Sequence, residues 1–247
     1  MIAKKELAEL ELEIEQKSKL NEDFSLGLVF NSNPADQNGI LTNSQDSSNS
    51  LKINKYRLYL ASASPRRLQL LEQIGLMPDE IVPANIDENP ISGESVNKMT
   101  ERLAKAKAEK IANGVADGFV MAADTAIEIG GKSLGKASSP EDVLQMISKL
   151  SGKKHRVYTS VVLLKVTNGT VEKCAQKTSK TTIALKSLTP AELKEYVVSG
   201  LGIGREGGFN MQTQLEAFVK SVSGSYSGVI GLPLYETYSL LTGLGFW

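Results

Sequence analysis

Residues 58–75 read LYLASASPRRLQLLEQIG, and they join a strand pattern directly to a helix pattern. The apolar start predicts a short buried strand over residues 57–61. Ser64 suits the N-cap of the following helix, and Pro65 suits its first position, where a missing N–H costs no hydrogen bond. Gly75 can close the helix in the left-handed conformation. One helical face then carries the apolar side chains Leu68, Leu71 and Ile74.

The turn of this segment brings two serines and two arginines to a helix N-terminus: Ser62, Ser64, Arg66 and Arg67. Such an end offers free backbone N–H groups and a partial positive charge, which together suit a phosphate group. The same residues would also fit an ordinary strand–turn–helix with arginines at the surface. By itself the segment predicts an anion site without excluding that alternative.

The composition of the chain narrows the classes of function. Its 247 residues suffice for one sizeable α/β domain or two small ones, and a formal net charge of zero argues against a bulk nucleic-acid binder. We find no apolar run long enough to cross a membrane and no signal-peptide pattern at the N-terminus. The single Cys174 excludes an internal disulfide framework and fits a reducing, cytoplasmic setting. The single His155 argues against a structural zinc site or a Ser-His-Asp triad.

Residues 1–54 differ in kind from residues 55–247. Residues 3–20 predict one acidic helix, and residues 31–50 are rich in Asn, Ser, Gln and Asp, which is typical of a disordered linker. Residues 1–50 hold 4 Lys and Arg against 9 Asp and Glu, so the rest of this neutral chain has a net charge of +5, which suits an anionic substrate. We assign the extension no chemistry. It is either a dispensable tail or a helix that binds a partner or stabilises an oligomer.

The rest of the chain predicts a globular α/β domain. Strand patterns alternate with helix patterns, and the Asn168-Gly169 turn adds a hairpin, so we expect a mixed sheet rather than a purely parallel one. Thr189 and Glu192 have the spacing of a capping box. The predicted strands are residues 80–84, 119–123, 126–129, 157–166, 170–177 and 181–185, and the predicted helices are residues 94–113, 140–150, 190–199 and 234–241.

The candidate chemistry centres on Asp124, which directly follows the apolar run FVMAA. At the end of a buried strand an acid is well placed to bind a metal or to activate water, although an aspartate there is often only a turn residue. Lys107 and Lys136 could clamp a polyphosphate, or they could be ordinary solvated side chains. Asp87, Glu88 and Asp124 form a plausible hard-metal group, since oxygen ligands suit Mg²⁺ or Mn²⁺ and not zinc.

Three further features of the sequence are weaker indications of function. Residues 202–207 match GxGxxG by letter, but the motif neither follows a strand nor opens a clear helix, so we expect no dinucleotide site. Phe209 and Tyr226 could stack on a base or belong to the core. His155 is expected to be structural or adjacent to the substrate rather than a catalytic base.

Six motifs stand in the order typical of one protein family. They are SASPRR at 62–67, RLAxxKA at 102–108, ADT at 123–125, GK at 135–136, LSGxxHxVYT at 150–159 and GLPL at 231–234. In this set and order the chain resembles the Maf family, nucleoside triphosphate pyrophosphatases first named after a septum-formation phenotype. The resemblance covers residues 56–246 and leaves the N-terminal extension unmatched.

The resemblance implies a fold and a reaction. The family fold is a Maf/ITPase-like α/β body, an elongated mixed β-sheet flanked by helices, with two lobes, a central cleft and commonly a homodimeric assembly. The reaction is hydrolysis between the α- and β-phosphates of a nucleoside triphosphate, which yields a monophosphate and pyrophosphate and uses a divalent metal cation, Mg²⁺ or Mn²⁺. We therefore expect a cytoplasmic enzyme that binds neither nucleic acid nor membrane.

The same resemblance implies roles for individual residues. Asp124 would be the proton acceptor that activates water. Substrate specificity would depend on Arg66, Thr125 and Gln212. The phosphates would be bound by Ser62, Arg67, Lys107 and Lys136, and the metal by Glu88 and Asp124.

Within the family the chain is most similar to the branch that hydrolyses dTTP and UTP, since it shares SPRR, ADT, Gln212 and the ending GLPLxETYxLL. Two alternatives stay open: a pyrophosphatase for a modified nucleotide such as 7-methyl-GTP, or a catalytically weak regulatory protein of cell division. Three positions depart from the family pattern, where Leu201 replaces a glutamate, Glu206 an alanine and Thr213 a glycine. They bear on base preference and turnover more than on the reaction class.

Overall fold

The computed structural model describes residues 55–247. The acidic helix and disordered linker expected within residues 1–54 lie outside the described residues, and the two-part division of the chain stays a prediction. In chain order the elements are β1 (Leu58–Leu60), α1 (Pro65–Gln73), β2 (Glu80–Ile81), α2 (Val96–Ala112), β3 (Gly118–Ile129), β4 (Lys132–Ser133), α3 (Pro140–Leu150), β5 (Lys154–Thr167), β6 (Thr170–Leu185), α4 (Pro190–Val198), a 3₁₀ helix (Gln214–Phe218), β7 (Val219–Ser223), α5 (Tyr226–Ile230) and α6 (Leu234–Gly243).

The strands form one mixed sheet in the order β2-β1-β3-β5-β6-β7, with β4 also paired to β3. β1 is parallel to β2 and to β3, and α1 and α2 make the crossovers that parallel neighbours require. β3, β5, β6 and β7 are antiparallel neighbours. The predicted Asn168-Gly169 hairpin joins β5 to β6 with both residues at positive φ. The predicted α/β fold with a mixed sheet flanked by helices is confirmed.

Helices cover both faces of the sheet, and alternate residues of β3 face opposite sides. α2 packs on one face through small side chains, which lets the helix approach the strands closely. That core contains Ala104, Ala108 and Ala112 of α2 with Val120 and Ala122 of β3. α5 and α6 pack against β5 and β6. No helix within residues 55–247 is both long and apolar enough to span a membrane.

The helix starts show where local signals were sufficient. The capping box of α4 is formed: the hydroxyl of Thr189 accepts from the N–H of Glu192, whose carboxylate accepts from the N–H of Thr189. Ser64 is the N-cap residue of α1, as predicted, but its hydroxyl makes no capping hydrogen bond. The N–H of Arg67 donates instead to the backbone carbonyl of Ser64, at 3.1 Å. The backbone N–H of Arg67, from which the hydroxyl of Ser64 was expected to accept, therefore already has an acceptor.

Three sets of strand predictions are wrong in extent. Residues 170–177 and 181–185, predicted as two strands, are parts of the single strand β6. Residues 119–123 and 126–129 are parts of the single strand β3, which β5 pairs from Gly118 to Glu128. Asp124 therefore lies within a strand and not after one. β2 has two residues instead of five because β1, the strand that it pairs with, ends at Leu60.

The aromatic contact between Phe119 and Phe246 predicts a large stability effect. Both side chains are fully buried, and their ring centroids lie 5.2 Å apart in an edge-to-face arrangement. We expect Phe246→Ala to lower the free energy of unfolding by about 3–5 kcal/mol, since it removes a buried ring and leaves a cavity. Urea denaturation measures the effect. Tyr235→Ala, at a side chain that is 80% exposed, is the control and should change it by less than about 0.5 kcal/mol.

Candidate active site

The candidate site lies where β3 has a neighbouring strand on one edge only. β1 pairs with β3 up to Met121, β4 pairs with it from Glu128, and both lie on the edge opposite β5. Within the described part of the chain, no strand pairs with residues 122–126 on that edge. Asp124 and Thr125 fall in this gap. As consecutive strand residues they approach the open edge from opposite faces of the sheet.

A cleft of ≈ 360 Å³ opens beside this edge. It is bounded by the end of β1, the start of α1, the segment after β2, the middle of β3 and the loop over residues 202–208. The cleft brings together most of the predicted site residues, which are Ser62, Arg66, Arg67, Glu88, Lys107, Asp124, Thr125 and Lys136. Counting Arg205 and Glu206 as well, five cationic side chains and three carboxylates line it. The lining therefore carries a net positive charge that suits a polyanion.

Gln212 and Asp87 are not among the lining residues. The side chain of Gln212 is exposed, and its backbone N–H donates to the side-chain oxygen of Asn210. Asp87 is also exposed, and its carboxylate accepts from the N–H of Asn89. The role of Gln212 in base selection stays a prediction, and its position in this structure adds no support.

The centre of the cleft is a buried ion pair between Lys107 and Asp124. Each residue is 7% exposed, and the Nζ of Lys107 lies 2.6 Å from Oδ1 of Asp124. The same Nζ lies 2.6 Å from Oε1 of Glu88, whose Oε2 lies 3.0 Å from the Nζ of Lys136. Acids and bases thus alternate along a continuous chain of contacts. Such pairing is required because an unpaired buried charge is strongly destabilising.

These contacts determine the ionisation of Glu88 and Lys136. Burial opposes ionisation of Glu88, but hydrogen bonds and charge attraction from Lys107 and Lys136 prevail and lower its pKa to about 2. Burial likewise disfavours the charged form of Lys136, and the hydrogen bond to Glu88 prevails and raises its pKa. Both side chains are therefore charged at neutral pH.

The two consecutive arginines of α1 have different surroundings. Arg67 is anchored, since its guanidinium donates to the carbonyl of Gly231 at 2.9 Å and to the hydroxyl of Ser62 at 3.0 Å. Burial and the charges of Arg205 and Arg67 lower the pKa of Arg66 to about 10, so this side chain stays cationic. Its buried Nε has no hydrogen-bond partner among residues 55–247. Arg67 is therefore fixed in place, whereas Arg66 retains an unused donor.

The glycine-rich loop over residues 202–208 forms the opposite rim of the cleft. The N–H of Ala137 donates to the carbonyl of Arg205 at 3.0 Å, and the N–H of Gly207 donates to that of Gly135 at 2.6 Å. Glu206 is thereby held with Oε1 3.9 Å from the Nζ of Lys136. Burial raises the pKa of Glu206 to about 7, with Lys136 opposing the shift. The loop follows α4 rather than a strand, as expected of a motif that is not a dinucleotide fingerprint.

On the Thr125 face the cleft has an apolar wall. Ile127 of β3 and Val157 of β5 are register partners there, and Phe209 and Val229 complete the wall. The ring of Phe209 meets that of His155 edge to face, with centroids 5.2 Å apart. Burial lowers the pKa of His155 to about 4, so its imidazole is a weak base at neutral pH, and it contacts Phe209 from outside the cleft lining. Tyr226, the other aromatic candidate, is exposed and does not line the cleft.

The carboxylates of Glu88 and Asp124 are the kind of donor that Mg²⁺ and Mn²⁺ prefer. Within residues 55–247, no group of three or more His, Cys, Asp or Glu side chains could hold a metal ion. A cation at these two carboxylates would therefore need phosphate oxygens or water as further ligands. The donor set fits a hard cation that binds together with a triphosphate, and it does not fit a closed zinc site.

Some contributors to the site had no assigned role at the sequence level. Gly231 accepts the hydrogen bond of Arg67 through its backbone carbonyl, and the buried hydroxyl of Thr159 contacts that of Thr125. Their residue types gave no indication of these contacts. Of the three departures from the family pattern, only Glu206 lines the cleft. Leu201 is exposed, and the hydroxyl of Thr213 accepts from the N–H of Leu215 at the start of the 3₁₀ helix.

Comparison with known proteins agrees with the geometry. The model of the Maf-like protein family matches residues 57–244. The chain belongs to the Maf family. Among its relatives, a nucleoside triphosphate pyrophosphatase of Orientia tsutsugamushi is 40% identical over 189 residues, which are 76% of this chain and 92% of that protein. A dTTP/UTP pyrophosphatase of Caulobacter vibrioides is 43% identical over 189 residues, which are 76% of this chain and 96% of that protein.

The Maf match confirms the family resemblance and, like it, does not extend into the first fifty-odd residues. Among solved structures, a HAM1 protein from Coxiella burnetii is 15% identical and has a TM-score of 0.42, with 76% of this chain and 99% of that chain covered.

The buried carboxyl of Glu206 predicts a pH-dependent stability. Its pKa is 4.5 in the unfolded chain and about 7 in the fold, so between these pH values the unfolded chain loses the proton of Glu206 while the folded protein retains it. The resulting loss of stability, at most about 3 kcal/mol, is absent below the lower value and complete above the higher one. We expect the stability of Glu206→Gln relative to wild type to rise between about pH 4.5 and about pH 7 and then to stay constant, as measured by urea denaturation.

The exposed Glu216 provides the matched control, Glu216→Gln. A pH-independent difference between Glu206→Gln and wild type, or the same trend in both variants, would contradict the prediction.

Proposed function

We propose that this Maf protein hydrolyses nucleoside triphosphates, dTTP and UTP in particular, to the nucleoside monophosphate and pyrophosphate. The observation that carries the proposal is one cleft in which a cationic group surrounds a buried carboxylate while an apolar wall lies on the other face of the strand. A nucleotide has the same two parts, a polyanionic chain and a flat, largely apolar base. The names of the relatives support the choice of dTTP and UTP.

Asp124 is the general base in this proposal. It accepts a proton from a water molecule as the water oxygen attacks the α-phosphorus, and the bond from that phosphorus to the oxygen bridging to the β-phosphate breaks. Pyrophosphate leaves with the electron pair of that bond. Lys107, at 2.6 Å, restrains the carboxylate, so that the base is held in one position before the substrate arrives.

The phosphate chain is held by cations from several elements. Arg67 is already oriented by Ser62 and Gly231, and Lys136 comes from the segment after β4. The start of α1, a helix of 9 residues, adds the positive end of the helix dipole. These groups stabilise the negative charge that develops on the leaving pyrophosphate.

A divalent cation, Mg²⁺ or Mn²⁺, is the proposed cofactor. Glu88 and Asp124 would hold it together with phosphate oxygens of the substrate. When bound, the cation neutralises part of the triphosphate charge. Lys107 and Lys136, which contact Glu88, keep that carboxylate ionised and able to act as a ligand.

The base is placed on the Thr125 face, against Ile127, Val157 and Phe209. Thr125 offers a hydroxyl on the same face as this apolar wall, and Arg66 has a buried Nε without a partner among the described residues. A few polar groups on an apolar surface are what a specific ligand site requires. These contacts support a role of Arg66 and Thr125 in base selection.

We also propose that the protein works as a cytoplasmic homodimer that binds neither nucleic acid nor membrane. The family resemblance and the neutral overall charge support this setting, and Cys174 is a free thiol. Sedimentation velocity of the full chain tests the dimer.

The reaction predicts a specific product pattern. With Mg²⁺ or Mn²⁺, dTTP and UTP should yield pyrophosphate and the monophosphate rather than orthophosphate and the diphosphate. The measurement is a panel of nucleotides, including 7-methyl-GTP and CTP, with products resolved by ion-exchange chromatography, before and after chelation. Folded protein that releases no pyrophosphate from any nucleotide would overturn the enzyme assignment. A preference for 7-methyl-GTP would mean that the substrate is a modified nucleotide and not dTTP or UTP.

The role of Asp124 predicts a catalytic defect without a loss of fold. We expect Asp124→Asn to lower kcat by about 10²–10⁴-fold, because an amide still accepts a hydrogen bond from Lys107 but cannot take a proton from water. Steady-state kinetics measures the change, and circular dichroism confirms the fold. Asp117→Asn, at an exposed carboxylate before the start of β3, is the matched control and should retain kcat.

A further inference from the structure

Glu206 brings a third carboxylate into the cleft, opposite the first two. The backbone fixes its place, because residues 136 and 206 form an antiparallel bridge, and such partners direct their side chains to the same side. The side chain of Glu206 is 23% exposed and lines the cleft, and its Oε1 lies 3.9 Å from the Nζ of Lys136. Two opposite charges attract each other at that distance, but they are too far apart for a hydrogen bond.

Lys136 already has a closer carboxylate partner. Its Nζ donates to Oε2 of Glu88 at 3.0 Å, and this hydrogen bond is made without Glu206. The chain of contacts runs Asp124–Lys107–Glu88–Lys136–Glu206. It holds three carboxylates and two ammonium groups. Glu206 is therefore the terminal acid of the group, held at the longest distance and without a cation of its own in this chain of contacts.

The charge of Glu206 opposes the binding of a polyanion. Five cations and three carboxylates line the cleft, which gives a net charge of +2, and five cations with two carboxylates would give +3. Given the function proposed above, phosphates of the substrate bind beside Lys136. A phosphate oxygen that approaches the Nζ of Lys136 also approaches the carboxylate of Glu206, and these like charges repel each other.

We propose that Glu206 competes with the phosphates of the substrate for Lys136 and thereby weakens the binding of the nucleoside triphosphate and of the pyrophosphate product. This role rests on the proposed function, which supplies the identity of the ligand. A neutral side chain at this position would leave the free side of Lys136 to the phosphates alone. Glu206 thus lowers the affinity of the cleft without taking part in the chemical step.

The experiment compares Glu206→Gln with wild type at pH 8.5, where the wild-type carboxyl is ionised because its pKa is about 7. Glutamine keeps the size of the side chain and removes its charge. We expect KM for UTP to fall by about three- to tenfold. We expect no gain in kcat, since the charge opposes the bound substrate and the transition state alike. Isothermal titration calorimetry with pyrophosphate, in the absence of a divalent cation, should show Kd lowered by a similar factor.

Two further variants separate the effect of charge from that of shape. Glu206→Asp keeps the charge on a side chain one methylene shorter, so it should retain the weaker binding of the wild type. Glu216→Gln makes the same chemical change at an exposed residue outside the cleft lining, so it should leave KM and Kd unchanged.

The possible results are distinguishable from one another. An unchanged Kd for pyrophosphate in Glu206→Gln overturns the inference. Weaker binding of UTP or of pyrophosphate by this variant also overturns it, because Glu206 would then assist the phosphates, directly or through a cation. Absence of UTP hydrolysis by the wild type overturns the proposed function. Tighter binding of pyrophosphate by Glu206→Gln would in that case still support competition for Lys136.

Discussion

Between Met121 and Glu128, β3 has a neighbouring strand on one edge and a cleft on the other. β1 ends at Leu60 because the chain turns into α1, and β4 is too short to cover the remaining edge. In a fully paired strand, neighbouring strands would cover both edges. The gap therefore allows Asp124 and Thr125 to be held rigidly by β5 and yet to reach a ligand.

The gap also creates an electrostatic problem that α2 resolves. Asp124 is almost completely removed from water, and a carboxylate in that position requires a partner. Lys107 projects from α2, whose alanines pack closely on β3, and it contacts both Asp124 and Glu88. The close approach of the helix and the ionisation of the site are thus consequences of the same small side chains. Lys136, from the segment that follows β4, adds a further cation to the group.

The alternation of side chains along β3 separates the two kinds of chemistry in the cleft. Asp124 faces α2 and the charged group, and Thr125 faces Ile127, Val157 and the hydroxyl of Thr159. The consecutive arginines of α1 differ in a similar way. Arg67 is tied to Ser62 and Gly231, whereas Arg66 lies beside the charge of Arg205. One strand and one helix start can therefore serve both ends of a nucleotide.

The sequence by itself determined what depends on neighbours along the chain. The capping box at Thr189, the Asn168-Gly169 turn and the run from β1 into α1 follow from local geometry. Six ordered motifs identified the family and most of the charged residues that line the cleft. The extent of β3 was not predictable in this way. Asp124 and Thr125 read as a strand end because polar residues usually terminate a buried run, and here they continue it because Lys107 and Thr159 satisfy them from distant segments. Only the tertiary structure decided which carboxylates share a lysine, which hydroxyl contacts Thr125 and that Gln212 lies outside the cleft, because these contacts join segments that the folded backbone brings together.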